Sequence, residues 1–148
     1  MRFEKSAGAI IFRRENDINK FLLLHYPSIA HRSKRDYWDF VKGHVEKGES
    51  EANTVIREAE EETGIKDLVF VAGFYAEMKY FFRFEGELIF KMATFCLAQT
   101  ETGAITLSGE HNDFIWLPYD EAYKMLSFEN AKAILERANN FLERTKKK

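Results

Sequence analysis

Gly43-His44-Val45-Glu46-Lys47-Gly48-Glu49-Ser50, continuing to Arg57-Glu58-Ala59-Glu60-Glu61-Glu62-Thr63-Gly64-Ile65, is the stretch that decides how this chain is read. Seven glutamates fall within residues 46–62. The segment predicts a glycine-bearing loop followed by a helix. Ser50 suits the N-cap, because its hydroxyl can accept from an orphan amide of the first turn. Gly64 suits the stop, where the backbone must turn left-handed. Between them Ala52, Val55, Ile56 and Ala59 recur at i, i+3, i+4 and i+7, which predicts an apolar stripe. Glu58, Glu61 and Glu62, at i, i+3 and i+4, fall together on another face.

That acidic face is unfavourable on its own. Like charges at helical spacing cost about 0.2–0.5 kcal/mol per pair, and the C-terminal half of a helix already disfavours negative charge. A bare run of glutamates reads as a solvated face. Carboxylates clustered beside a glycine loop instead favour a hard divalent cation, and Mg²⁺ typically takes a few carboxylates plus the phosphates of a substrate.

The spacing G-x5-E-x7-R-E-U-x-E-E-x-G-U, with U apolar, is met at every defined position from Gly43 to Ile65. It is similar to the Nudix box, and the segment 43–65 is identified with it on that pattern. The resemblance implies a hydrolase of nucleoside diphosphates linked to another moiety. It implies Mg²⁺, with Mn²⁺ as a substitute, held by Glu49, Glu58, Glu61 and Glu62. It implies an α+β fold of the Nudix type, an α/β/α sandwich with a mixed β-sheet between helices.

Composition agrees with a small enzyme. A chain of 148 residues is expected to form one domain, 1–148, and 45% apolar content with 14 Phe supplies a core. The net charge of −2 provides no global basic field for nonspecific nucleic-acid binding. A local basic run, His31-Arg32-Ser33-Lys34-Arg35, could draw in polyphosphate or could be a solvated loop. The single cysteine, Cys96, excludes an intramolecular disulfide, reads as a core thiol in Phe95-Cys96-Leu97, and gives no ground for a disulfide-linked partner. No stretch approaches the length of a membrane span and no apolar leader follows a basic start, so cytoplasmic residence is the default expectation.

Along the chain, residues 7–12 and 20–25 predict strands around the polar turn 14–17, and 37–40 a short extended piece. Residues 68–79 and 87–100 predict two β runs joined through Phe84-Glu85-Gly86 as an antiparallel hairpin. Residues 114–117 predict another strand. Pro118 opens a helical segment to Leu126, and an amphipathic helix is expected over about 127–143.

Segments flanking the box resemble the asymmetric diadenosine tetraphosphate (Ap4A) hydrolases. Trp38-Asp39-Phe40-Val41-Lys42-Gly43-His44 is similar to their W-x-x-P-K-G-H entry, and Leu107-Ser108-Gly109-Glu110-His111 … Trp116-Leu117 to their L-S-x-E-H … W-L segment. Val41 stands where those enzymes usually carry proline, a difference that bears on loop stiffness and substrate preference. A dinucleoside polyphosphate needs cations along its phosphates and aromatic faces for its bases. Lys42 and Lys91 can each place a point charge on a phosphate, Gly43 and His44 lie in the entry to the box, and Tyr80 can stack on a base. By resemblance, Lys91 and Tyr80 are the phosphate-contacting lysine and the substrate-contacting tyrosine. Arg57 is expected to hold a glutamate in place. Glu58 is the first candidate for the general base, and Glu110, from a loop, the alternative. The expected reaction is water attack on a bridging phosphate, Ap4A giving ATP and AMP. The alternatives are an RNA 5′-end pyrophosphohydrolase, a nucleoside triphosphate sanitiser, and a noncatalytic nucleotide- or RNA-binding module. Retention of Glu49, Arg57, Glu58, Glu61 and Glu62 favours an enzyme over the binding module.

Overall fold

The computed structural model describes residues 2–28, 35–109, 111 and 113–146. Strands β1 (Arg2–Glu15) and β2 (Ile18–Tyr26) form a hairpin. Its turn, Asn16-Asp17, places both residues at positive φ, 53° and 65°, the geometry that matches the right-handed twist of the flanking strands. A short pair follows, β3 (Tyr37–Asp39) and β4 (Val41–His44), then helix α1 (Glu51–Thr63). Next come β5 (Val69–Phe70), β6 (Ala76–Phe84), β7 (Glu87–Gln99) and β8 (Asp113–Pro118), and two helices close the chain, α2 (Tyr119–Met125) and α3 (Glu129–Lys146).

These eight strands form one mixed sheet. Its main path is β3-β2-β1-β7-β5, with β4 also paired to β1, β6 to β7 and β8 to β2. Strand β1 is the hub. It runs parallel to β7 from Arg2 to Phe12, while its other edge pairs antiparallel with β4 and then with β2.

Strand alternation sends side chains into two cores. Ala7, Ala9 and Ile11 of β1 meet Leu22, Leu24 and Val41, and pack against Val55 and Ala59 of α1. Ile10 and Phe12 meet Phe21, Leu23, Phe95 and Leu97, and pack under Ala131, Ile134, Leu135 and Ala138 of α3. The sheet is therefore covered on both faces, the α/β/α arrangement expected. Among the described residues, no helix is long and apolar enough to cross a membrane. Cys96 is half-buried, and burial pushes its thiol up to about 12, which keeps it in the un-ionised form of a packed core group.

Three expectations are corrected. The run 68–79 is not one strand. It breaks after β5 at Gly73, whose φ of 93° is left-handed, and β6 begins only at Ala76. Gly43 lies in no loop but within β4, paired with Ala7. The predicted stripe of α1 is rotated: Ala52 and Ile56 are exposed, and Thr54, Glu62 and Thr63 join Val55 and Ala59 on the buried side. Periodicity ranked residues by hydrophobicity, whereas the packed face is set by where β1 and β4 lie under the helix.

Candidate metal and polyphosphate site

Helix α1 is fixed at both ends by its own sequence. The Ser50 hydroxyl accepts from the Asn53 amide at 3.1 Å, and the Gly64 amide donates to the Glu60 carbonyl at 2.9 Å from a left-handed conformation. The helix carries Arg57, Glu58, Glu61 and Glu62 towards its C-terminal end.

Arg57 organises this end. Its Nε and Nη2 grip Glu49 in a bidentate pair, at 2.8 and 3.0 Å. Nη2 also donates to the His44 carbonyl at 3.0 Å, and Nη1 to Glu58 at 2.7 Å, with a longer contact of 3.4 Å to Glu61. Glu49 accepts further bonds from the Thr54 hydroxyl at 2.7 Å and the Glu46 amide at 3.0 Å. The Arg57, Thr54 and Glu46 donors hold its carboxyl down at about 2. In this arrangement Glu49 anchors the loop to the helix, with its oxygens engaged by protein donors.

Glu58 and Glu62 behave differently. Glu62 is only 5% exposed, and its carboxyl is hydrogen-bonded to that of Glu58. Burial, then the bond to Glu62 and its charge, raise Glu58 to about 7 against the opposing pull of Arg57. Gly43 faces this carboxyl so closely that a Cβ on it would fall 2.1 Å from the Glu58 Cδ, so any side chain at that position would displace the Glu58 carboxyl. Glu61 is mostly solvent-exposed. Among the described residues, no three carboxylates or imidazoles converge at metal-holding distance. The Glu58–Glu62 pair nonetheless fits a divalent cation chemically, since two carboxyls forced together in a dry setting are compensated by a proton or a metal.

Lys42 and His44 flank Gly43 on β4 and point to the opposite face of the sheet from α1, as their pairing with Gly8 and Ser6 requires. Lys91 lies on that same face, directly across from Tyr80 on β6 and Glu4 on β1. The Lys42 Nζ is 2.8 Å from Asp39 Oδ2 and 6.0 Å from the Tyr37 ring centroid. Burial opposes its charge, but Asp39, with Tyr80 and Tyr37 nearby, outweighs burial and raises its pKa. Lys42 and Tyr80 are thus neighbours in space, and Tyr80 and Lys91 are cross-strand partners.

Sequence reasoning gave no role to three residues. Asp39 is 2% exposed and takes up the charge of Lys42. Tyr37 stacks on Tyr26 at 4.9 Å with an interplanar angle of 3°, beside Lys42. His111 is buried with its Nε2 3.5 Å from Glu62 Oε2. His111 follows Glu110, and Tyr37 and Asp39 stand five and three residues before Lys42, but short extended pieces and loops carry no periodicity to show what they face. Glu110 and the run 31–34 lie outside the described residues.

A mixed sheet sandwiched between helices, with an Arg-Glu-x-x-Glu-Glu helix end locked to its preceding loop, defines a Nudix hydrolase domain. The NUDIX domain family matches residues 2–137, and the chain belongs to that family. Its similarity reaches particular enzymes. The chain is 36% identical to the asymmetrical bis(5′-nucleosyl)-tetraphosphatase of Rattus norvegicus, over 93% of this chain and 95% of the relative. It is 35% identical to the protein of the same name from Sus scrofa, with the same coverage. The crystal structure of a C. elegans Ap4A hydrolase binary complex superimposes with a TM-score of 0.80 at 28% identity, covering 95% of this chain and 98% of that one.

Proposed function

We propose that this Nudix hydrolase cleaves dinucleoside polyphosphates in a Mg²⁺-dependent reaction, with Ap4A giving ATP and AMP. The observation that carries the reading is the placement of two complementary sets around β4. The acidic pair Glu58–Glu62 lies on one side of Gly43, and Lys42, Tyr80 and Lys91 lie on the other face. The 36% identity to a rat enzyme of that name supports the substrate class.

In this reading Glu58 and Glu62 hold the metal, with Glu61 able to join them because its side chain is exposed. Mg²⁺ there would neutralise phosphate charge and acidify bound water. Arg57 keeps Glu58 aligned and Glu49 keeps Arg57 aligned. Lys42 and Lys91 bind the phosphate chain, and Tyr80 and Tyr37 offer ring faces to a base. The attacking water bonds to one phosphorus, the bridging P–O bond breaks towards the leaving nucleotide, and the water proton passes to Glu58. Gly43 lets that carboxyl approach β4 closely.

The test is incubation with Mg²⁺ and a panel of Ap4A, triphosphorylated and capped RNA, NTPs and ADP-ribose, with the Ap4A arm run in ¹⁸O-labelled water. ATP and AMP from Ap4A, with label in one product only, support the reading. Two ADP molecules overturn the asymmetric cleavage, and equal preference for ordinary NTPs overturns the substrate class.

A further inference from the structure

The loop that precedes β8 is tied to the end of α1 by its backbone. The Thr106 amide donates to the Thr63 carbonyl at 2.9 Å and the Ser108 amide to the Glu62 carbonyl at 3.3 Å, while the His111 amide donates back to Ser108 at 3.3 Å. These bonds bring His111 over the buried side of the helix. Its side chain is fully buried. The Nε2 lies 3.5 Å from Glu62 Oε2, and both atoms are sealed from solvent. The other ring nitrogen, Nδ1, lies 3.3 Å from the His25 carbonyl. The Tyr26 ring meets the imidazole edge-on, centroids 4.5 Å apart at 88°. Tyr26 is itself pinned by its hydroxyl bond to the Phe40 carbonyl and by stacking on Tyr37.

An imidazole held against an acceptor at each nitrogen and packed on one face has little freedom to turn, and it donates to both acceptors only as the doubly protonated ring. We propose that His111 is a positioning residue for Glu62: it fixes the carboxylate rotamer so that the remaining oxygen is presented, with Glu58, to a divalent cation. The proposal rests on the metal-holding role given to Glu58 and Glu62 above. Partners of this kind, one step behind a metal-binding group, typically alter metal affinity by about 10–100-fold when removed. His111 touches neither metal nor substrate in this role. It acts through Glu62 alone, and the aromatic stack of Tyr26 and Tyr37 supports it from behind. Thr106, Ser108 and His111 are thereby tied to the C-terminal end of α1.

The experiment is direct Mn²⁺ binding to the nucleotide-free full chain, followed by the loss of the free-ion EPR signal, beside thermal unfolding in EDTA. His111→Leu removes the polar contact. His111→Gln retains a donor long enough to reach Glu62, and His111→Asn carries the same amide on a shorter stem. The expected result is a roughly tenfold or greater rise in the Mn²⁺ dissociation constant for Leu and Asn, with Gln within about threefold of the parent. In the Glu62→Gln background, His111→Leu is expected to add nothing further. Steady-state assays should show the Mg²⁺ concentration for half-maximal rate shifting, with the substrate KM at saturating Mg²⁺ unchanged. Equal Mn²⁺ affinity in parent, Asn and Gln proteins overturns the proposal, and that comparison stands even where the Leu variant does not fold. Failure of the underlying reading looks different: then Glu58→Gln and Glu62→Gln also leave Mn²⁺ affinity unchanged.

Discussion

Glu58 and Glu62, one turn apart on α1, hold their carboxyl groups in hydrogen-bonding contact, with the Glu58 carboxyl lying over Gly43 of β4. The contact is unfavourable for two full charges, and Glu58 answers by holding its proton up to about pH 7. The sign follows from linkage. Between its ordinary 4.5 and about 7 the native protein retains a proton that the unfolded chain releases, so the metal-free protein loses stability from this group as pH rises through that window.

The first prediction is therefore a pH-dependent difference between parent and Glu58→Gln in EDTA. Urea midpoints should converge near pH 4.5 and separate by pH 7.5, with the glutamine variant the more stable. Saturating Mg²⁺ should abolish the difference or reverse it, because the cation replaces the shared proton. A constant gap across the range would show that the pair is not strained by charge.

Gly43→Ala isolates the approach of Glu58 to β4. The added methyl would meet the flexible end of the Glu58 side chain, not backbone, so the carboxyl moves and the fold persists. Expected is a fall in kcat of at least about tenfold, corresponding to roughly 1.4 kcal/mol of transition-state stabilisation, with a melting temperature close to that of the parent. Parallel assays of kcat and thermal unfolding decide it, and a stable variant of undiminished kcat would remove Gly43 from the site.

Arg57→Ala deletes bonds to Glu49, Glu58 and the His44 carbonyl together. A large fall in kcat is expected, with a stability loss of about 2 kcal/mol, since a hydrogen bond to a charged group contributes roughly 1.5–3 kcal/mol net of its exchange with water. Glu49 adds an acid signature. Its carboxyl is held at about 2, so the stability it contributes is present above its ordinary 4.5 and is lost as pH falls from there towards 2. The Arg57→Ala protein should show a shallower acid-unfolding slope over that range. Normal turnover by the folded fraction would make Arg57 a purely structural residue.

Tyr80→Ala should raise the KM for Ap4A more than the KM for a short nucleotide, by about tenfold. Base stacking on an aromatic ring is worth roughly 1–3 kcal/mol, and Tyr80 stands beside Lys42 and across from Lys91. Equal changes for both substrates would place Tyr80 in phosphate binding or packing instead.

Much of the local structure was legible from residue order, the break at Gly73 and the strand position of Gly43 excepted. The Ser50 cap, the Gly64 stop, the Asn16-Asp17 and Glu85-Gly86 turns and the spacing of the box each depend on interactions within a few residues. Side-chain type and backbone permissiveness alone therefore specify them. The two hairpins follow from strand periodicity and turn residues in the same way, while the covered sheet is what the resemblance to the Nudix box implied. What needed the tertiary structure was the direction each side chain takes once strands from distant parts of the chain are packed together. Glu62 looks equivalent to Glu61 in sequence, yet it is buried against the core while Glu61 remains in solvent, because β1, β4 and the loop before β8 close over only one flank of α1. Asp39 neutralises Lys42, and His111 reaches Glu62, through contacts that exist only after β3 and β8 pair with β2. Charge and spacing place carboxylates on a helix; burial, which is a property of the assembled sheet, decides which of them keep a proton and which are locked by Arg57.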